Sequence, residues 1–390
     1  MKISLATNFD DDLITQISGY PVYEIYGKLK TDIFGGGRPS NTLDDLSRAK
    51  LESHVRLARR NNIKFNYLLN SACFNNREMD KKWQDEAISF LNYLRDIGVN
   101  ALTVSNQLLL KLVKKYFDCF SVRISIFSCV SDYARARQWE EMGADFICAD
   151  IYSLNRNFKE IEKIVKNLKT AKLELLANVS CLKACPYAMS HANSIAHASN
   201  SYEPNEKSVD YCILHCQRDE LLNPIEYIRS CWIRPEDIKC YERIGVEHFK
   251  LTERGIPTRE LVKRVKAYSE GHYDGNLIDL VLGHGFEDPL DDNSAQISYR
   301  TNSELNSVSD IADEIFKIRG MGRARKVPSH IYIDNKKLDG FIDYFIEGKC
   351  SGLCDKCTYC KNYYEKSVVL NEEVRSKLLA LYRKFDEILI

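Results

Sequence analysis

The chain has no excess of either charge. Lys and Arg total 55, and Asp and Glu total 55, so it lacks the broad basic field that draws a nucleic-acid partner. A small-molecule or peptide substrate is therefore expected ahead of RNA. No apolar run approaches the length that crosses a bilayer, and the opening Met1-Lys-Ile-Ser-Leu-Ala-Thr-Asn has no signal-peptide core. The expectation is a cytoplasmic protein with no membrane contact. H-E-x-x-H and G-x-S-x-G are missing, as are a nucleotide-binding glycine fingerprint and a P-loop. No internal repeat or low-complexity tract stands out.

Cysteine is abundant, with 14 among 390 residues. In a reducing compartment so many thiols do not read as a disulfide framework. Cys73, Cys119, Cys129 and Cys148 sit in apolar runs, where packing accounts for them. Eight others form two tight groups, which favours metal. The first is Cys181-x3-Cys185, then Cys212-x3-Cys216 after 26 residues, set among Pro, Asn, His and Gln. Four thiolates from such pairs can converge on one centre if the loop between them folds back. His191, His197 and His215 lie in the same stretch and are weaker ligand candidates, since four thiolates already complete a site.

Around this stretch, short β-branched or aromatic runs alternate with amphipathic segments of about three turns, the pattern of repeated βα units. Strands are expected at Lys2 to Thr7, Val22 to Tyr26, Lys64 to Leu69, Ala101 to Ser105, Arg123 to Ser128, Asp145 to Ala149, Lys172 to Asn178 and His248 to Thr252. Helices are expected at Leu51 to Asn61, Asp80 to Ile97, Gln107 to Tyr116, Asp132 to Met142, Phe158 to Leu168, Pro235 to Ile244 and Arg259 to Ser269. Eight such units imply an α/β fold, a closed (β/α)8 barrel over residues 1–282, with an open doubly wound sheet as the alternative. The first cysteine group then falls in the loop 178–233 after the seventh strand. Residues 283–390 would form a C-terminal extension ending in an amphipathic helix from Glu372 to Leu389.

Catalytic groups of such barrels gather just beyond the strand ends. That rule nominates Asn8, Lys28, Cys129 and, as catalytic or substrate-orienting candidates, Asn70, Asn106, Asp150, Glu253 and Arg254. Glu253 and Arg254 read equally well as a structural ion pair. Gly35-Gly36-Gly37-Arg38 could bring backbone N–H groups and a guanidinium to a phosphate or carboxylate, with a plain turn as the alternative.

The second group, Cys350-x3-Cys354-x2-Cys357-x2-Cys360, packs four thiols into eleven residues. Ionised together they repel unless a cation binds them. Zinc competes for such a site, but the compact spacing is closer to ferredoxin-type iron–sulfur motifs. The first three cysteines also match the spacing of radical S-adenosylmethionine enzymes, although only 30 residues follow Cys360, too few to build a barrel around it.

Taken together, several stretches resemble the collagenase-like peptidase family U thirty-two over about residues 1–275. They are Tyr23-Glu-Ile-Tyr26-Gly27 to Gly36-Gly37-Arg38, Asn70 at a strand end, Cys212-x3-Cys216-Gln217-Arg218, Pro235-Glu-Asp237 with Gly245-Val246, and Phe249-Lys250-Leu-x-x-Arg254. The resemblance implies a barrel carrying a [4Fe-4S] cluster, and an oxygen-independent hydroxylase or related oxidoreductase acting in ubiquinone synthesis or on RNA in its relatives. By that carry-over Cys181, Cys185, Cys212 and Cys216 would bind the cluster, with Cys231 or Cys240 as alternative fourth ligands. A second cluster, or zinc, would sit at Cys350, Cys354, Cys357 and Cys360. This chain departs from the family in spacing its first two cysteines more closely, in reading Leu-Thr-Glu-Arg where the family has Ile-Glu-Gly-Arg, and in its C-terminal cysteine group. The alternatives are a peptidase, which needs an activated nucleophile or an open metal site, and a non-catalytic cluster-bearing partner in a heterodimer. An electron donor, and a homo- or heterodimeric partner, are further expectations.

Overall fold

A computed structural model describes residues 1–199, 209–281, 283–286, 307–320, 324–325 and 327–389. Eight parallel strands, β1 (Lys2–Ala6), β2 (Val22–Gly27), β3 (Lys64–Leu69), β4 (Ala101–Val104), β5 (Ser121–Ile124), β6 (Phe146–Cys148), β7 (Lys172–Leu176) and β8 (His248–Leu251), close in sequence order into a barrel. β1 pairs with both β2 and β8, from Lys2 opposite His248 to Leu5 opposite Leu251, which seals the ring.

The outer helices are α1 (Asp11–Gln16), α2 (Arg48–Arg60), α3 (Lys81–Ile97), α4 (Gln107–Tyr116), α5 (Tyr133–Glu141) and α6 (Phe158–Asn167). Each except α1 follows the expected 3.6-residue apolar spacing. On α3, Trp83, Ala87, Phe90, Leu91, Leu94 and Ile97 are buried, Asp80 caps the start and Gly98 ends it in the left-handed conformation.

Between β7 and β8 lie α7 (Ala188–Ala198), α8 (Tyr211–Leu222), α9 (Glu226–Arg229) and α10 (Ile238–Arg243); α11 (Thr258–Glu270) completes the last unit. The stretch expected as a long cysteine loop is thus largely helical, and Cys212 and Cys216 lie one turn apart on α8. The expected fifth strand also shifts. β5 begins earlier and stops at Ile124, because Ser125 caps a 3₁₀ turn over Ile126–Ser128 by accepting from Phe127 N.

The inside of the barrel carries charge. Arg123 on β5 pairs with Glu24 on β2 and, at 3.1 Å, with Glu174 on β7. Ser4 donates to Glu24 (2.7 Å), as does Asn66 (3.1 Å), and all of these groups are buried. This polar layer keys the ring at one level, where removal of a partner strands a buried charge.

Past the barrel come α12 (Val308–Arg319), β9 (Ile331–Ile333), α13 (Asp343–Ile346), α14 (Tyr359–Ser367), β10 (Val368–Leu370) and α15 (Glu372–Leu389). Ile331, Ile333, Leu338, Phe341 and Phe345 join the same apolar cluster as the barrel. α12 and α15 pack on α8 through Leu214, Leu221, Ile315, Leu378 and Phe385. The expected boundary at Leu282 lies outside the described residues, and no described helix is long and apolar enough to cross a membrane.

Candidate functional site

Two constellations stand at the C-terminal mouth of the barrel. One gathers around Arg254, just past β8. Arg254 is 8% exposed, its Nη1 is buried without an acceptor, and among the described residues no carboxylate lies within ion-pair distance of it. Burial, reinforced by the neighbouring Arg38 cation, brings its pKa down to about 10. Glu253 does not neutralise it, because that carboxylate is engaged by Arg38. The Glu253 backbone sits at φ 114°, a conformation that a residue with a Cβ adopts only under tertiary constraint.

Beneath Arg254, Lys28 pairs with Asp32 at 3.0 Å, and burial pushes the Lys28 pKa down. Asp32 organises the glycine run by accepting from Phe34 N (2.9 Å), Gly35 N (3.1 Å) and the Tyr67 hydroxyl (2.8 Å). Gly36 and Gly37 then lie flat across the mouth. A Cβ at Gly36 would stand 3.0 Å from the Lys28 side chain, and one at Gly37 only 2.6 Å from Phe127. Ser199, just after α7, clasps Gly36 by accepting from its N–H (2.7 Å), and its own hydroxyl proton is shared between the carbonyls of Ala196 (2.8 Å) and Gly36 (3.1 Å). Asn70 lies under the same glycines, donates to Ser125 Oγ (3.3 Å) and keeps a buried Oδ1 without a donor.

The second constellation is the thiol set. After β7 the chain passes Val179 to Cys181, and the segment 230–233 returns alongside it. Ile233 N donates to Ala177 O (2.8 Å), Cys181 N donates to Ser230 Oγ (2.9 Å), and Asn155 Nδ2 ties Leu176 O (2.8 Å) to Cys231 O (2.7 Å). This return brings Cys231 beside Cys181, close enough that their interaction raises the pKa of Cys181 and lowers that of Cys231, while Cys231 Sγ donates to Val179 O (3.5 Å). Cys185 and Cys216 stand close enough that their charges oppose ionisation of Cys181. Burial raises both, with Glu220 adding to the effect at Cys216. Cys212 faces Asp210 and Cys185 at the edge of the set. Cys240 is elsewhere, beside Asp237, Arg243 and Asp343.

The fourth thiol nearest Cys181 is therefore Cys231, brought there by tertiary pairing, while Cys212 stands further out on α8. The set is right in kind for a thiolate-held cluster. Among the described residues, however, no three His, Cys, Asp or Glu side chains already close on a single metal ion, so the sulfurs gather without reaching the tight tetrahedron of a zinc site.

Other sequence candidates are placed apart from both constellations or at their edge. Asn106 caps α4 by accepting from Leu109 N (3.0 Å) and donates to Glu78 (3.1 Å), so it serves to start the helix. Asp150 accepts from Ser153 N and Oγ (3.1 and 2.6 Å) and lies beside Cys129 and Tyr152. His191 pairs with Asp210 (3.2 Å), linking α7 to the start of α8. The four C-terminal cysteines come together near Lys183, whose Nζ is 3.5 Å from Cys350 Sγ and 3.7 Å from Cys354 Sγ.

Sequence reasoning missed Tyr152, buried against Cys181, Cys185 and Cys231, and Arg156, which lies near Cys231 and Cys360. Both occupy the β6 exit, so the strand-end rule that found Asp150 could have found them.

The sequence profile of peptidase family U32 matches residues 38–273, a span that begins at Arg38, directly after the glycine run, and takes in Asn70, the barrel thiols and Arg254. The chain belongs to this family. A U32-type relative in Methanocaldococcus jannaschii, described as an uncharacterized protease, is 28% identical over 325 residues, covering 82% of this chain and 81% of that one. The solved structure of the U32 peptidase Mk0906 is similar with a TM-score of 0.49 and 20% identity, over 65% of this chain and 92% of that chain. The U32 match ends at residue 273, before the second cysteine group.

Proposed function

We propose that this U32 protein is an iron–sulfur enzyme of the oxygen-independent hydroxylase or related tailoring type, acting on a small molecule or peptide that carries an anionic group. The observation behind it is the meeting of Cys181, Cys185, Cys216 and Cys231 at the same barrel end as an uncompensated, buried Arg254. Those four thiols would hold a [4Fe-4S] cluster, which supplies redox chemistry that the protein's own side chains lack.

The other groups bind and orient. Arg254 offers a charge-assisted fork to a carboxylate, and the anion in turn supplies the charge this buried guanidinium lacks. Asn70 Oδ1 can accept from a hydroxyl or amide of the same molecule, which fixes its rotation. Gly36 and Gly37 let the backbone approach Lys28, Asn70 and Phe127 more closely than a residue with a Cβ could. Lys28 and Asp32 compensate each other and set the floor.

Peptide hydrolysis is the reading suggested by the family's name and by the relative's description. It calls for a cysteine or serine activated by a base. Among the described residues no cysteine shares a hydrogen bond with a histidine, and burial raises the thiol pKa values of Cys129, Cys185 and Cys216.

The test is anaerobic purification followed by iron, sulfide and zinc analysis of single variants. Cys231→Ser is expected to lose the barrel iron as fully as Cys181→Ser, while Cys240→Ser keeps it. Iron content indifferent to both Cys181→Ser and Cys231→Ser would end the proposal.

A further inference from the structure

The C-terminal cysteines are built onto the barrel's own thiol loop. Lys183, midway between Cys181 and Cys185, directs its ammonium to Cys350 and Cys354 at 3.5 and 3.7 Å. Arg229, two residues before Cys231, donates Nη2 to the Cys354 carbonyl (3.4 Å), and its charge reaches Cys354 and Cys360. Both contacts come from the segments that carry the barrel thiols.

Arg156 makes the connection deeper. Its guanidinium lies over Trp232 at 4.4 Å, Phe341 at 4.9 Å and Phe345 at 5.2 Å, an aromatic box drawn from both the barrel and the extension. Nη1 donates to the carbonyls of Ile228 (2.9 Å) and Arg229 (3.3 Å), whereas Nε and Nη2 are buried without an acceptor. Among the described residues no carboxylate forms an ion pair with it, and Asp237 acts on it only from further off. The thiols nearest to it are Cys360 on one side and Cys231 on the other. A desolvated cation without a counter-charge is costly, and thiolates at both positions would supply that charge.

Four thiols within eleven residues, with Lys183 and the Glu226-paired Arg229 beside them and the Arg156 guanidinium shared with the barrel set, describe a built anionic centre. Tyr344 adds a fourth polar contact, its hydroxyl 3.7 Å from Cys357 Sγ, and its ring stacks on Tyr359 at 4.1 Å. The ferredoxin-like spacing of the four cysteines favours an iron–sulfur occupant over zinc.

We propose that Cys350, Cys354, Cys357 and Cys360 hold a second iron–sulfur cluster, docked on the barrel thiol set through Lys183, Arg229 and Arg156 so that each centre feels the other's charge. This rests on the reading that the barrel thiols hold a cluster, and the experiment separates the two. Full-length protein is purified anaerobically as wild type, as Cys354→Ser/Cys357→Ser and as Cys181→Ser/Cys231→Ser. Iron, sulfide and zinc are measured, and electron paramagnetic resonance spectra are taken after dithionite reduction, which adds one electron per cluster.

Expected are about eight irons in the wild type, about four in each double variant, and a broadened, spin-coupled wild-type spectrum that simplifies in both variants. In the Cys181→Ser/Cys231→Ser background, Lys183→Met lowers the midpoint potential of the remaining centre, because the removed ammonium favours the more negative reduced state. Zinc released by the C-terminal variant with iron unchanged, or a wild-type spectrum without coupling, overturns the second cluster and leaves the barrel reading intact. About four irons in the wild type, lost only from the C-terminal variant, would instead overturn the barrel reading. Should the C-terminal variant fail to fold, the wild-type spectrum and the Lys183→Met potential decide alone.

Discussion

Under the proposed function, Arg254 is the residue that would meet the substrate's anionic group. It lies at 8% exposure with Arg38 as its cationic neighbour, and the adjacent Glu253 carboxylate is engaged by Arg38. Arg254→Gln should weaken binding of a small carboxylate by about ten- to a hundredfold, the loss of one charge-assisted contact, read by calorimetry across a panel of mono- and dicarboxylates. Unchanged affinity would assign the guanidinium a structural role. His248 makes a separate prediction about pH. Buried between the Tyr23 and Phe146 rings, each 5.0 Å away, it has its pKa pushed down to about 3 by burial and then by Lys2. Because the unfolded chain binds the proton first, stability is full above the ordinary histidine value and falls as pH drops through it. From about pH 7 to about pH 5 the loss is on the order of 2 kcal/mol, and urea midpoints for wild type and His248→Gln should diverge by that amount. At this scale the sequence was partly legible. A strand-end position was enough to nominate Asn70, Glu253 and Arg254. It could not reveal that Asn106 is engaged in capping α4, nor that Cys231 reaches Cys181, since that contact depends on segment 230–233 pairing with the β7 exit.

Among the elements, the glycine run carries the sharpest steric demand. Gly37→Ala would press a methyl group 2.6 Å from Phe127 and displace the cover of the mouth. The expected cost is about 1–3 kcal/mol, with greater protease sensitivity near Arg38; Ser199→Ala, which removes both clasps on Gly36, should give the same sensitivity at a smaller cost. Most strand and helix positions were readable because their apolar periods are long and their caps conventional, as at Asp80 and Gly98 around α3. α7 and α8 were read as loop because His, Asn, Gln and Cys give α8 little sidedness. Its helical state comes from the Asp210 cap and from packing under α12 and α15. The end of β5 was misjudged because Ser125 offers the backbone a turn that competes with strand.

For the whole molecule, closure of the ring depends on a buried charge layer as well as on aliphatic packing. Arg123→Met leaves Glu24 and Glu174 without their cation and should destabilise the protein by about 3–5 kcal/mol, seen as a lower urea midpoint. The triple substitution with Glu24→Gln and Glu174→Gln should recover part of that loss. The barrel itself was legible from eight repeated units. The seating of the extension on the barrel was not, because it joins residues far apart in sequence. α15 is the case with the widest reach. Arg375 Nε donates to Leu221 O (2.8 Å), the Tyr382 hydroxyl donates to Gln217 (3.2 Å), and Asp386 pairs with Arg218, all on the helix that bears Cys216. During synthesis, the ribosome must travel more than a hundred and fifty codons past Cys216 before that helix gains its final support. The brace on the Cys216 helix is thereby timed late, after translation has delivered the far end of the polypeptide.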